Sequence, residues 1–427
     1  MMNRFRALGT LASVGIAAAL AGSMPVSAQD GQQSWARFDP HNTATSAMDQ
    51  PYDHSFARQW EANPPKGFPR LASENLTAMK LAIKRYGDIV AKGGWPAIPD
   101  TTMQPGMGGE SVVLLRQRLA ASGDLRGDED GLFGSGYDNV VERAVKRFQA
   151  SNGLTPTGIV DKRTVAALNV PATIRLNQLK INLIRLQDLA RGAGKKYIVV
   201  NIPAAQIEAV ENDRVVSRHA GVVGKLDRQT PILKSAIHEL NFNPVWHLPP
   251  TVISKDLIPK ARDMQRRGQD ALAKYGIDAY GADGKLLNTS KINWSNLGAA
   301  GLTYRQKPGP ENPLGFVKIN FHNTHSVYMH DTPSQTIFGR NFRAASSGCV
   351  RISGIENLAA WLVKDQGWTE ERVKEMKKSG ERLDVRLKKP VPLFFAYITA
   401  WTTEDGVIQF RRDIYNKDGV GAVASTY

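Results

Sequence analysis

The sequence predicts an α+β protein with a helical N-terminal half and a mainly β C-terminal half that one helical insertion interrupts. Three observations predict it. Apolar residues recur every three or four positions between 73 and 194. From 196 the period drops to two. Helical spacing returns over 252–303 before strands resume. At 427 residues and 42% hydrophobic content, the chain can fill the cores of two or three domains.

The elements follow in order. Residues 29–70 are polar and rich in Pro, Asn and Gln, which predicts a flexible leader with a short helix around Ser55–Trp60. Segments 71–104 and 171–195 read as a helical scaffold. In "SENLTAMKLAIKRYGDIVAKGG", Leu76, Met79, Ile83, Tyr86 and Val90 share one face, Ser73 is the N-cap and Gly93-Gly94 the stop. In the second segment Leu176, Leu179, Leu183, Leu186 and Leu189 do the same. Between them, residues 105–170 form a separate unit of helices "ESVVLLRQRLAASGDL", "DNVVERAVKRFQASNGL" and "DKRTVAALNV", the last capped by Asp161. The acidic run Asp128-Glu129-Asp130 before Gly131 lacks the alternating ligands and closing Glu of a calcium loop, so it reads as a solvated turn.

Residues 196–400 are the β domain. A first hairpin turns at Glu211-Asn212-Asp213-Arg214, and a second, in "GFVKINFHNTHSVYMHDT", turns at Asn323-Thr324. The 252–303 insertion between strands reads as helix and loop. Helices "GIENLAAWLVKDQGW" and "TEERVKEMKKSG" precede the closing strands, and 401–427 is assigned as a C-terminal tail. No internal repeat is present.

The first 28 residues carry Arg4 and Arg6, then "ALGTLASVGIAAALAG", then small residues at Val26-Ser27-Ala28. That is the pattern of a secretory signal cleaved near Ala28. The apolar run is short for the alternative, an uncleaved membrane anchor. Fifty-five basic against 40 acidic residues give +15, and two of these charges lie in the leader. Such a balance favours polyanionic surroundings. Export argues against nucleic acid, and no nucleic-acid-binding fingerprint is present. An anionic wall polymer or membrane surface fits better.

Cys349 is the only cysteine, so an intramolecular disulfide is excluded. A thiol in an oxidising compartment is a liability unless it reacts. Its neighbours Ser346, Ser347, Gly348 and Arg351 are small or polar, unlike those of a buried apolar cysteine. Three features are expected to bring the thiol below its ordinary pKa of about 8.5. These are His330 at the end of a strand, the cation of Arg351, and a helix start set by Ser353 and Glu356 as a capping box. Gly348 lets the chain turn so that the Gly348 and Cys349 amides point at one spot, as an oxyanion hole requires. Asp331, or a backbone carbonyl of Ser347 or Gly348, would hold the second imidazole nitrogen. His322, His325 and His330 also spell a conceivable zinc set, but the hairpin turn separates the first two from the third.

Two resemblances rest on these residues. The ordered fragments V-x-x-L-R-x-R-L, D-G-x-F-G, A-V-x-x-F-Q, T-G-x-V and T-x-x-A-L-N, within 105–170, resemble the small three-helix peptidoglycan-binding domain. His330-Asp-Thr-Pro followed by Ser346-Ser-Gly-Cys349-Val-Arg351 resembles the signature of the L,D-transpeptidases with the YkuD-type catalytic domain. "GGWPAIP", "RQTPILKSAIHELNFNPVWHLP" and "RQKPGPENPLGFVKINF" extend the resemblance to the long, multidomain periplasmic enzymes of Gram-negative bacteria, over about 73–415. Where many members have His and Asn, this chain has Ser347 and Arg351.

The resemblance implies that Cys349 attacks a tetrapeptide stem at the carbonyl of its third residue, meso-diaminopimelate, while His330 serves as base and then acid. Gly348, with Ser347 as helper or as orienter of His330, would stabilise the oxyanion. Ser346, Arg351 and Tyr304 make up the candidate substrate-binding set, with Tyr304, Arg305 and Asn312 also suited to structural roles where the insertion rejoins the sheet. The 252–303 insertion would cap the cleft. No metal or organic cofactor is implied, and carbapenems should acylate Cys349. Three alternatives stay open: an L,D-carboxypeptidase or amidase using water, a ligase joining an outer-membrane protein to the wall, and a non-catalytic wall-binding structural protein.

Overall fold

The computed structural model describes residues 73–125, 134–294, 297–403 and 406–419. The secretory leader, the Ser55–Trp60 helix and the Asp128–Asp130 turn lie outside the described residues.

Five helices open the chain: α1 (Ser73–Ala91), α2 (Glu110–Ser122), α3 (Asn139–Ser151), α4 (Lys162–Leu168) and α5 (Ala172–Ala190). Their ends are chemically marked. Gly93 and Gly94 stop α1 at φ 93° and 85°, a region open mainly to glycine. Asp138 caps α3 by accepting from the amides of Val140 and Val141, and Asp161 caps α4 through Thr164. Leu115 and Leu119 of α2, Val141 and Phe148 of α3 and Leu168 of α4 form one apolar core. This unit is fastened to the scaffold: Trp95 Nε1 donates to the Val170 carbonyl at 3.1 Å, and Asn169 exchanges two 2.7 Å bonds with the backbone of Ile98.

Next come β1 (Lys196–Asn201), β2 (Gln206–Glu211), β3 (Arg214–Gly224) and β4 (Leu233–Phe242). The β2–β3 turn uses Asn212 and Asp213 at φ 51° and 60°, the two left-handed positions of a tight hairpin. The insertion follows: β5 (Trp246–His247), α6 (Pro250–Val252), a π turn Ile253–Leu257, α7 (Ile258–Arg266), α8 (Ala271–Tyr275), β6 (Ile277–Tyr280) and β7 (Thr303–Gln306). The expectation of helix and loop alone is corrected here, since β5, β7 and β6 make a small sheet. Two strands of four residues are too short to show a period against helical flanks. Val252, Leu257, Ala261, Leu272, Trp294 and Tyr304 give this segment its own core.

The chain returns through β8 (Val317–Phe321), β9 (Met329–His330), β10 (Ala344–Ser346), β11 (Val350–Ile352), α9 (Ile355–Val363), α10 (Glu370–Ser379), β12 (Leu383–Ala396), β13 (Ala400–Thr402) and β14 (Ile408–Phe410). The main sheet runs β10-β3-β11-β9-β8-β4-β12-β1-β2, and β2 also pairs with β3, so the strands close a circuit. Closure removes the open edge of the ladder. Ile198, Leu240, Ile319, Met329, Val350 and Leu393 point to the enclosed face, where α9 adds Leu358 and Leu362. On the outer face, Val199 and Phe394 receive Met79 of α1 and Leu179 of α5.

Residues 401–419 are not a tail. Trp401 and Phe410 join the scaffold core, and Ile414 and Tyr415 join the core of the strand circuit. Among the described residues no helix is long and apolar enough to cross a membrane.

Candidate active site

Strand parity assembles the site. Met329 and Val350 are paired in the parallel β9–β11 ladder and both face the core. Their neighbours His330 and Arg351 therefore face outward together, and Cys349, which also touches the core, lies beside them within reach of Tyr328, Lys318 and Arg351. Lys318 of β8 is the antiparallel partner of His330 and joins them. The same outward row continues with Asn320 of β8, Asn241 and Glu239 of β4 and Asp384 of β12, linked by amide–carboxylate bonds of 2.8 to 3.2 Å.

The residue that hydrogen-bonds the thiol is Tyr328, through its backbone amide and its phenol. Its ring meets that of His330 edge-on, with centroids 5.6 Å apart. Sequence reasoning missed Tyr328, although two-residue spacing from His330 in "SVYMH" was the available signal. Tyr328 also packs against the core of the inserted segment, where Trp246 Nε1 donates to its hydroxyl at 3.1 Å.

The resting charges differ from expectation. Burial pushes the Cys349 thiol up, and the Tyr328 hydrogen bonds with the charges of Lys318 and Arg351 only partly oppose it. The predicted helix start does not help. Helix α9 begins after Gly354, in a left-handed conformation with no side-chain cap, and Glu356 is engaged by Lys377 instead of closing a capping box. His330 is lowered to about 3, first by burial and then by the Arg351 cation. Its Nδ1 bonds the Asp331 carbonyl at 2.5 Å, and the Pro313 carbonyl also meets the ring. Those two carbonyls, not those of Ser347 or Gly348, hold the imidazole. At neutral pH both the thiol and the imidazole are therefore uncharged.

The loop before Cys349 is braced from within. Gly348 sits at φ 115°, which other residues rarely adopt. Its amide donates to Ser346 Oγ at 3.1 Å, which corrects its assignment to an oxyanion hole. Ser346 is 2% exposed and its hydroxyl also donates to the Cys349 carbonyl, so it shapes the loop and does not line a substrate groove. Among the described residues no protein acceptor is recorded for the Cys349 amide. Ser347 Oγ accepts from Arg228 Nη1 at 2.8 Å, and Arg228 pairs with Asp256 of the inserted segment at 3.1 Å. Ser347 is thus tied to the insertion and does not orient His330.

Tyr304 is fully buried and donates to the Ala299 carbonyl at 2.8 Å, which removes it from the substrate-binding set. Asn312, 1% exposed, bonds the Pro244 carbonyl and is structural. His322 stacks on His238 at 4.2 Å, and the His325 amide donates to Asn323 in the expected turn. No group of three metal-ligating side chains occurs among the described residues.

Comparison with known proteins adds the family. The model of the YkuD family, the L,D-transpeptidase catalytic domain, matches residues 195–378. A second, described as a "putative peptidoglycan binding domain", matches 108–168. A relative from Haemophilus influenzae named "putative L,D-transpeptidase" is 29% identical over 251 residues, 58% of this chain and 49% of its own. The chain thus spans about half the length of that relative. Two solved L,D-transpeptidases are similar at low level. That of Xylanimonas cellulosilytica is 18% identical, covering 70% of this chain and 98% of its own, with a TM-score of 0.22. That of Stackebrandtia nassauensis is 14% identical, covering 70% and 97%, also with a TM-score of 0.22. Residues 195–378, which carry Cys349 and His330, thus match the model of the L,D-transpeptidase catalytic domain of the YkuD family, and 108–168 match that of a peptidoglycan-binding domain.

Proposed function

We propose that the protein is a peptidoglycan L,D-transpeptidase that cross-links the diaminopimelate residues of neighbouring stems. One observation carries this reading: the single cysteine lies inside the matched catalytic domain, where it and His330 share Arg351 and Lys318 as charged neighbours. Cys349 Sγ bonds to the carbonyl carbon of the third stem residue, and the thiol proton passes to His330. The peptide C–N bond breaks, and the departing D-Ala amine takes that proton. The amine of a second stem then attacks the thioester, the S–C bond breaks, and the thiol regains a proton. The Cys349 amide is the available donor to the oxyanion, a contact whose loss typically costs about 2.7–4 kcal/mol of barrier.

Because thiol and imidazole are both neutral at rest, the ion pair forms as the carbonyl is attacked. Arg351 acts by keeping His330 neutral. The 252–303 segment acts as the cap, joined to the site through Asp256–Arg228–Ser347, while Trp246 just before it donates to Tyr328. This acyl transfer needs no metal or organic cofactor. Donor tetrapeptides and diaminopimelate acceptors are the partners, met in the periplasm after cleavage near Ala28.

Mass spectrometry of muropeptides incubated with the protein tests the reading, with Cys349→Ala as control. New tetra–tri dimers are expected. Tripeptides without dimers would assign a hydrolase, stems joined to protein lysines a ligase, and sacculus binding without any product a structural protein. A carbapenem should add its mass at Cys349.

A further inference from the structure

A cavity of about 410 Å³ lies where the 108–168 domain meets α1, α5 and the β13–β14 hairpin, and it shares no lining residue with the thiol site. Its volume falls in the range of small-ligand sites. Among the described residues, Arg85, Arg118, Arg147 and Arg175 line it, with Asp124 as the one acid. Trp95, Phe148 and Phe410 supply apolar walls.

Arg118 is the unusual member. It is 1% exposed, and its guanidinium lies 3.7 Å from the Trp95 ring centre and 5.5 Å from that of Phe148. Nε donates to the Leu168 carbonyl at 2.7 Å, but Nη1 is buried with no hydrogen-bond partner. Among the described residues no ion pair is recorded for it. Burial lowers Arg118 to about 10, so it is still charged at neutral pH. Asp124 is a Coulomb partner of Arg118, but its carboxyl already accepts from Ser122 at 2.5 Å and is pushed up by burial. The other arginines also hydrogen-bond neutral groups. Arg85 donates to the Ser122 carbonyl at 2.6 Å, Arg147 to the Asp124 carbonyl at 2.9 Å, and Arg175 to Asn152 at 2.9 Å while standing 4.4 Å over Phe410.

A cation held this dry is strongly unfavourable unless an anion completes it. A guanidinium fork matches the two oxygens of a carboxylate, and aromatic faces suit the apolar body of a sugar or peptide.

We infer that this cavity is a second wall-binding site, which takes a stem-peptide carboxylate onto Arg118 Nη1 with Trp95 and Phe410 against the body of the fragment. The inference rests on the peptidoglycan reading above for the identity of the ligand. It would hold the polymer on the scaffold while another stem occupies the thiol site.

The test uses the full chain carrying Cys349→Ala, so that nothing is turned over, and calorimetric titration with a disaccharide-tripeptide. Two sites are expected, with one lost, or weakened roughly tenfold or more, in the added Arg118→Leu variant. The same fragment with its carboxylates converted to methylamides should lose the Arg118-dependent site. Since Arg118→Leu removes an uncompensated charge, its melting temperature should hold or rise. If it falls, the methylamide comparison on the Cys349→Ala chain decides. Unchanged stoichiometry and affinity in Arg118→Leu, or equal binding of the methylamide, overturns the inference. So does Arg118-dependent binding of inorganic phosphate without the muropeptide. Cross-linking is measured separately on the chain with Cys349 intact, so its failure sinks the transpeptidase reading and leaves the binding result standing.

Discussion

His330 is held neutral by its burial and by Arg351, its ladder partner on β11. A base works only while unprotonated, so the acid limb of the acylation rate sits low in pH. Replacing Arg351 by Met removes the cation, and the limb should move up by about one pH unit or more, read from a pH series of carbapenem acylation. The same depression predicts a stability effect. A folded pKa of about 3, below the usual 6.5, means the unfolded chain binds the proton more readily. Stability should therefore fall as pH drops from about 6.5 towards 3. His219, buried and lowered to about 4, acts in the same direction. His330→Gln should flatten urea midpoints across that window, though not abolish the fall. At Tyr328 the hydrogen bond to sulfur favours the thiolate. Tyr328→Phe should slow iodoacetamide labelling of Cys349 roughly tenfold at fixed pH.

At the scale of elements, the nucleophile loop is held by a segment far away in sequence. Thr230 Oγ1 donates to the Gly348 carbonyl at 2.8 Å and accepts from the Gly224 amide at 2.8 Å. The Thr230 amide in turn donates to the Tyr415 hydroxyl at 3.2 Å. Thr230→Val keeps the volume but leaves the Gly348 carbonyl unpaired in a buried place. That should cost about 1–3 kcal/mol in urea unfolding and slow acylation as the loop loosens; Tyr328→Phe, which removes the acceptor of Trp246 Nε1, should also lower the urea midpoint. This dependence explains why 401–419, assigned as a tail from composition, packs into the core of the strand circuit.

Across the whole molecule, buried polar contacts join segments that a linear reading separates. Asp418, 4% exposed, pairs with Arg185 of α5 at 2.6 Å and accepts from Thr399 at 2.7 Å. Thr155 of the 108–168 domain bonds Asn341 of the catalytic domain at 2.6 Å. Asp418→Ala should cost about 3 kcal/mol, because it strands the Arg185 charge. Denaturant melts would show this as a lower midpoint, with iodoacetamide labelling of the folded protein unchanged.

Much of the framework was legible along the chain because its causes are short-range. Period-two alternation through "SVYMH" places Tyr328 and His330 on one face, Asp161 caps its helix, and Asn212-Asp213 turn a hairpin, all from neighbours a few positions apart. The motif around Cys349 likewise pointed to the family whose model matches 195–378 and to the sulfur proposed as nucleophile. The protonation states, the direction of the Gly348 amide and the partner of Ser347 belong to tertiary structure alone. Arg228 reaches Ser347 across 119 positions, and Tyr415 braces Thr230 across 185. Desolvation and Coulomb forces act through space, so only the folded chain could decide that the sulfur rests as a thiol and that Arg118 Nη1 is buried without a hydrogen-bond partner.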